Sequence, residues 1–271
     1  MSSFTPKTLS FLRSLKRNNQ REWFHARKDQ FEAHCRAPMI EIVERLAVDM
    51  RAFAPELVAD PKVSLFRQFR DTRFSEDKTP LKTNIAATFP NRTLGRMNGA
   101  SCYFEIGPDY VWIGGGVYRP DTSQLQLLRE HILANHRRLD AIVVSPAFMK
   151  LGGLQGDRLT RVPRGFDKAH QAAPYLMHKQ FMAFREEPGA FATSKDFYKN
   201  LLGTFKTLAP LVGFLNEPLI GRQSTAPQAH IFDEQAGCSS SYMWLQLSHG
   251  ADRYSRTEEQ PQPLRPPGRG R

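Results

Sequence analysis

Apolar positions recur at helical spacing near both ends of the chain, and they cluster or alternate like strands between. Leu9, Leu12 and Leu15, with Phe11, follow Thr5-Pro6, a capping residue ahead of a proline suited to the first helical position. Asn18-Asn19 close that helix. A second helix is predicted from about 21 to 35, with Trp23, Phe24 and Phe31 on its apolar face. Pro38 opens a third, carrying Met39, Ile40, Val43, Leu46, Ala47 and Met50 on one side and ending before Pro55. The texture then changes. Residues 63–66 and 83–89 read as strands, and SCYFEI (101–106) and YVWI (110–113), split by Gly107-Pro108-Asp109, read as a hairpin. A helix with Leu125, Leu128, Ile132 and Leu139 on its stripe follows over 121–138, capped by Asp121 or Ser123. Further expectations are a short helical stretch over 141–149, a short strand over 159–162 and a helix over 174–184. The final helix spans 196–214, with Phe197, Leu201, Leu202, Phe205 and Leu208 inward.

Strands that arrive in sequence with short links make an antiparallel sheet the economical topology. The fold class expected is therefore α+β: N-terminal helices, a mainly antiparallel sheet, and helices packed on the sheet, in one domain over residues 4–219. Residues 220–271 change character, with Gln, Ser, Pro, Gly and Arg dominating up to PQPLRPPGRGR. That composition buries too little apolar surface to offset the cost of ordering, so a disordered tail is expected, with YMWLQL (242–247) its isolated apolar run. There is no internal repeat.

Composition narrows the class. Hydrophobic residues at 40%, nineteen of them Phe, suffice for a core. No apolar run approaches bilayer length, and MSSFTPKT has neither a basic n-region nor an apolar h-region, so no membrane contact and a cytoplasmic location are expected. Cys35, Cys102 and Cys238 lie far apart and read as reduced thiols. The net charge of +11 favours acidic partners, either an anionic small molecule or nucleic acid, without choosing between them. It leaves oligomeric state open.

Candidate chemistry concentrates in RQFRDTRFSEDKTPLKT (67–83), which mixes guanidinium, ammonium and carboxylate groups in a turn-rich stretch. Arg forks match phosphate and carboxylate oxygens in pairs, and Lys adds a point charge. Arg70, Arg73, Lys78 and Lys82 are the candidate anion ligands, joined by Arg119, Arg161 and Arg164 if the fold gathers the three segments. The same pattern supports an internal ion-pair network in which Asp71, Glu76 and Asp77 pin the loop; the two readings are compatible. Asp71 and Asp77 are candidate catalytic carboxylates. His170, three residues after Asp167, is a candidate proton shuttle, although such pairs are common on surfaces. Gly114-Gly115-Gly116 offers backbone N–H groups to an anion ahead of a helix, or else a tight strand exit or close backbone approach. Trp23, Phe24, Phe69, Phe74, Tyr103, Trp112 and Tyr118 fit a stacking platform for single-stranded nucleic acid, or plain core. HExxH, paired-Cys spacing, GxSxG and both nucleotide fingerprints are missing, so no metal and no cofactor are expected.

Four stretches in register resemble one family, the domain of unknown function 2461: NNQREWF at 18–24, RDTRFSEDKTPLKT at 70–83, GGGVYRP at 114–120 and TRVPRGFD at 160–167. The resemblance covers residues 4 to 218. It implies a cytoplasmic α+β domain and carries no activity with it. Similar members stop soon after the last helix; the continuation here reads as a lineage-specific extension or the product of a shifted reading frame. Function therefore stands as anionic-ligand binding through the 67–83 segment, with nucleic-acid binding without catalysis, or a structural adaptor role with an ion-pair clasp, as alternatives.

Overall fold

A computed structural model describes residues 3–73, 75–96 and 98–223. Phe74, Cys238, the 242–247 run and the rest of the expected tail beyond 223 lie outside them.

The N-terminal helices form where the apolar spacing places them. α1 (Pro6–Arg17) buries Leu9, Phe11, Leu12 and Leu15, and Asn18 forms its C-cap. The expected second helix is divided into α2 (Arg21–His25) and α3 (Lys28–Phe31), which passes through a π-helical turn, Glu32–Arg36, into α4 (Ala37–Asp49). Pro38 therefore sits in the first turn of α4 without ending the helical path. Pro38 has no N–H to offer the His34 carbonyl four residues back, and its ring crowds that oxygen. The buried Thr8 hydroxyl donates to the His34 carbonyl at 2.6 Å, tying α1 to the π turn. Ile42, rather than Ile40, joins Met39, Val43 and Leu46 in the core.

Residues 63–66 are not a strand. Asp60 accepts from the Lys62 N–H at 2.8 Å and Pro61 takes the first helical position, so the chain makes the single turn α5 (Pro61–Ser64). Leu65 then leaves extended and pairs with Ala87 in a lone bridge.

Four strands form one antiparallel sheet in chain order: β1 (Ile85–Pro90), β2 (Ser101–Ile106), β3 (Tyr110–Val117) and, after an excursion, β4 (Phe181–Pro188). Between β3 and β4 lie α6 (Thr122–Val143), α7 (Pro146–Met149) and α8 (Ala173–Leu176). Asp121 and Gln124 form a capping box on α6. The 159–162 stretch is a loop fixed by the Leu159 N–H to the Met177 carbonyl (2.7 Å), not a strand. The helix expected over 174–184 is the short α8 followed by the start of β4. Phe181, Met182 and Ala183 are all buried, so this strand shows none of the alternation that marks a one-sided one.

α9 (Phe197–Gln223) runs nine residues past the expected end, carrying Pro210 and Pro218 inside it. It covers one face of the sheet: Phe205 meets Phe89 at 5.2 Å between ring centroids, and Phe197 meets Phe104 at 6.2 Å. Arg138 of α6 makes a two-point ion pair to Glu217 of α9, at 2.9 and 2.6 Å. The protein is thus α+β, with helices packed on an antiparallel sheet. Among the described residues no helix is long and apolar enough to cross a membrane.

Candidate anion-binding site

The opposite face of the sheet carries the chemistry. Register places Ala86 opposite Glu105 and Thr88 opposite Tyr103, so Tyr103 and Glu105 point away from Phe104 and α9. Phe66 packs edge-on against Tyr103 at 6.0 Å, bringing the start of the basic segment onto this face.

That segment is a hairpin. The Arg70 N–H donates to the Pro80 carbonyl and the Lys82 N–H to the Gln68 carbonyl, both at 2.9 Å, and Phe69 bridges Leu81. The Asn19 side chain completes the stem: its amide donates to the Leu81 carbonyl at 2.9 Å and its oxygen accepts the Leu81 N–H at 3.0 Å. Asn216 of α9 holds Ala100 in the same two-point way, at 2.7 and 3.0 Å. An Asn side chain presents the same donor and acceptor as a peptide group, so each stands in for a missing strand neighbour.

At the tip, opposite charges face each other. Arg70, whose side chain is 9% exposed, reaches Asp77 and the Thr79 hydroxyl. Arg73 forks onto Asp71 at 3.0 and 2.7 Å, and Lys78 donates to the Thr72 carbonyl at 3.1 Å. The Arg73 side chain and N–H hold Asp71 down at about 2, and the Thr79 N–H and Arg70 do the same for Asp77. These carboxylates are ionised anchors at neutral pH.

Lys82 is placed differently. It is 7% exposed, its Nζ lies 4.9 Å from the centre of the Phe66 ring, and it has no hydrogen-bond acceptor among the described residues. Burial, and then the charges of Arg96 and Arg67, bring its ammonium down to about 7, with Glu105 pulling the other way. Arg96 stacks on the same Phe66 ring at 4.0 Å and donates to the Leu65 carbonyl at 3.1 Å, while its buried Nε has no partner among the described residues. Glu105, 1% exposed, accepts from the Tyr103 hydroxyl at 2.5 Å and also from Tyr110 and Asn84. Burial raises the Glu105 carboxyl above its usual range against those three donors. The Asn84 side-chain oxygen is buried and has no partner among the described residues.

A pocket of about 360 Å³ opens beside this cluster, between α3–α4 and the 61–69 stretch. Phe31, Met39, Phe66 and Phe69 give it an apolar floor, and Lys28, Lys62 and Arg67 stand in its wall. None of those three basic side chains forms an ion pair among the described residues.

The other anticipated residues are dispersed. Arg119 sits beside Tyr118, at 5.3 Å from its ring. Arg161 and Arg164 are exposed in the loop after Leu159, and no hydrogen bond or ion pair joins either to the hairpin among the described residues. His170 accepts the Ala172 N–H through Nδ1 at 3.0 Å, while Asp167 accepts from Ala169, so the two side chains do not pair. The three glycines are not a turn before a helix but the buried end of β3. Gly115 faces α9, where a Cβ would meet the Ser101 carbonyl oxygen at 2.8 Å; close backbone approach is their role. Trp112 is core, stacked on Phe184 at 3.9 Å. Sequence reasoning missed Arg96 and Glu105. A lone carboxylate in the apolar run SCYFEI was the signal for Glu105.

Fold and site together define an α+β domain with one helix-covered sheet face and one face holding a buried polar cluster. Residues 7–214 match the model of the family described as conserved hypothetical protein (DUF2461), and the chain belongs to that family. No curated protein and no solved structure matches the chain.

Proposed function

We propose that the protein binds an anionic ligand whose acidic group lies among Lys82, Arg67 and Arg96 and whose apolar body occupies the neighbouring pocket. The observation that carries this is Lys82, a largely buried side chain whose ammonium has no hydrogen-bond acceptor among the described residues. Desolvating an ammonium costs free energy, and a bound anion offsets that cost. Arg70, Arg73 and Lys78 shape the hairpin in this scheme, and Arg119, Arg161 and Arg164 stay outside it. The pairs Arg70–Asp77 and Arg73–Asp71 favour a second role for the hairpin tip alone, as a clasp that fixes the stem.

A thermal-shift screen of the full chain against phosphorylated and carboxylated compounds, nucleotides and short oligonucleotides tests it. Saturation at a hundredfold over Kd stabilises by about 2.7 kcal/mol. Lys82→Met is expected to abolish the shift while leaving the unliganded melting temperature equal or higher, because a buried charge has gone. A variant that melts lower and still responds to ligand would overturn the site. Binding also depends on pH with a defined sign. The anion requires the ammonium form, which is lost above about 7, so affinity falls as pH rises from 6 to 9, by up to about tenfold per pH unit. Any protonation of Glu105 at the acid end acts in the same direction. Lys82→Arg flattens the profile.

A further inference from the structure

We propose that Lys82 is the nucleophile of this site, and that its ligand is an anionic carbonyl compound, an aldehyde or ketone bearing a carboxylate or phosphate, captured as an imine. The inference rests on the anion-binding proposal and names the ligand class for it.

The choice of side chains supports it. Arg67 and Arg96 already supply fixed positive charge. A third cation placed for charge alone would serve equally well as a guanidinium. Lys82 is the one cation of the three that can surrender a proton and expose a lone pair. Nothing among the described residues holds it in the ammonium form through a hydrogen bond. A desolvated lysine next to other cations is the arrangement that activates an amine at neutral pH. The depression of its pKa to about 7 agrees with this geometry. Phe66 links amine and pocket: its ring lines the pocket and carries both Lys82 and Arg96. Glu105, with Tyr103, Tyr110 and Asn84 bound to it, is the carboxyl group within electrostatic reach of the amine.

The step balances without a further reactant. The neutral Nζ lone pair attacks the carbonyl carbon as the C=O π pair moves to oxygen. That oxygen gains a proton and the nitrogen loses one, giving a carbinolamine. Protonation of its hydroxyl lets water leave, and loss of the last N–H proton from the iminium gives the neutral imine. The net change is carbonyl plus amine to C=N plus one water, with no oxidation or reduction. Solvent takes the proton that Lys82 must lose and returns one to the carbinolamine hydroxyl, while the charge of Glu105 acts on the amine only through space.

The test incubates the full chain near pH 7 with pyruvate, glyoxylate or glycolaldehyde phosphate, with and without sodium cyanoborohydride. Intact mass and peptide mapping follow, and a parallel thermal shift is run without reductant. The expected result is a single reduced adduct on Lys82, competed by inorganic phosphate and missing from Lys82→Arg. Thermal shifts with no adduct on Lys82 would remove the nucleophile and leave the anion site standing. Adducts spread over exposed lysines, equally in Lys82→Arg, would also overturn it. Neither shift nor adduct with any of the three compounds counts against both proposals.

Discussion

His178 shows how much one buried side chain can settle. It is 1% exposed; its Nε2 faces the Arg158 Nε–H at 2.9 Å and its Nδ1 the Gln180 carbonyl at 3.2 Å. Arg158 can only donate, so Nε2 accepts and the ring is neutral with its proton on Nδ1. Burial first, then the charge of Arg158, lowers its pKa to about 4 from 6.5. The unfolded chain therefore binds more protons between those values. Stability contributed by the neutral ring is full above 6.5 and is lost as pH falls toward 4, at up to about 1.4 kcal/mol per pH unit. Urea unfolding at several pH values should show this slope, and His178→Gln, neutral throughout, should remove about one proton of it. An unchanged slope would mean that His178 protonates in the native state at no cost. Asp71 and Asp77 act in a separate window, since their stabilisation disappears only as pH drops from 3.8 toward 2.

Within an element, identical substitutions have opposite signs. Gly116 in β3 has φ +123°, and a Cβ there would run into the Phe181 carbonyl oxygen across the β3–β4 ladder. Gly203 in α9 has nothing within 4 Å of such a Cβ. Gly116→Ala should cost roughly 1–3 kcal/mol or more, while Gly203→Ala should gain about 0.8–1 kcal/mol from helix propensity. Thermal unfolding of both variants checks the pair; a neutral Gly116→Ala would show that the two strands can part there. The same contrast governs what was legible. α1, α4, α6 and the first half of α9 declare themselves because each buries one stripe, and β2–β3 because Gly107-Pro108-Asp109 punctuates them. β4 does not, because its first residues are covered on both faces. Of the site, Lys82 was visible as part of a charge-rich segment. Arg96 was not, because only the fold brings the 91–100 connector onto Phe66. Asn19 read as a helix end, and its two bonds to Leu81 span 62 residues of sequence.

At the scale of the molecule, the charge lies entirely in one part. Residues 224–271 contain five arginines and five acidic residues, which cancel, so the net +11 belongs to 1–223. The described core, from Phe4 to Leu219, lies within the same part. Long-range attraction of polyanions is therefore a property of residues 1–223, and it is screened over about 8 Å at physiological salt. A charge buried as Lys82 is feels that screening far less. Two salt dependences should follow. The full chain and a 1–223 fragment should leave a heparin column at the same salt, and their oligonucleotide affinities should fall together, steeply, as salt rises. The thermal shift from a small anion that requires Lys82 should change little over that range. Oligonucleotide binding that survives high salt would instead make nucleic acid the physiological partner. Retention lost on truncation would move that partner's site beyond residue 223.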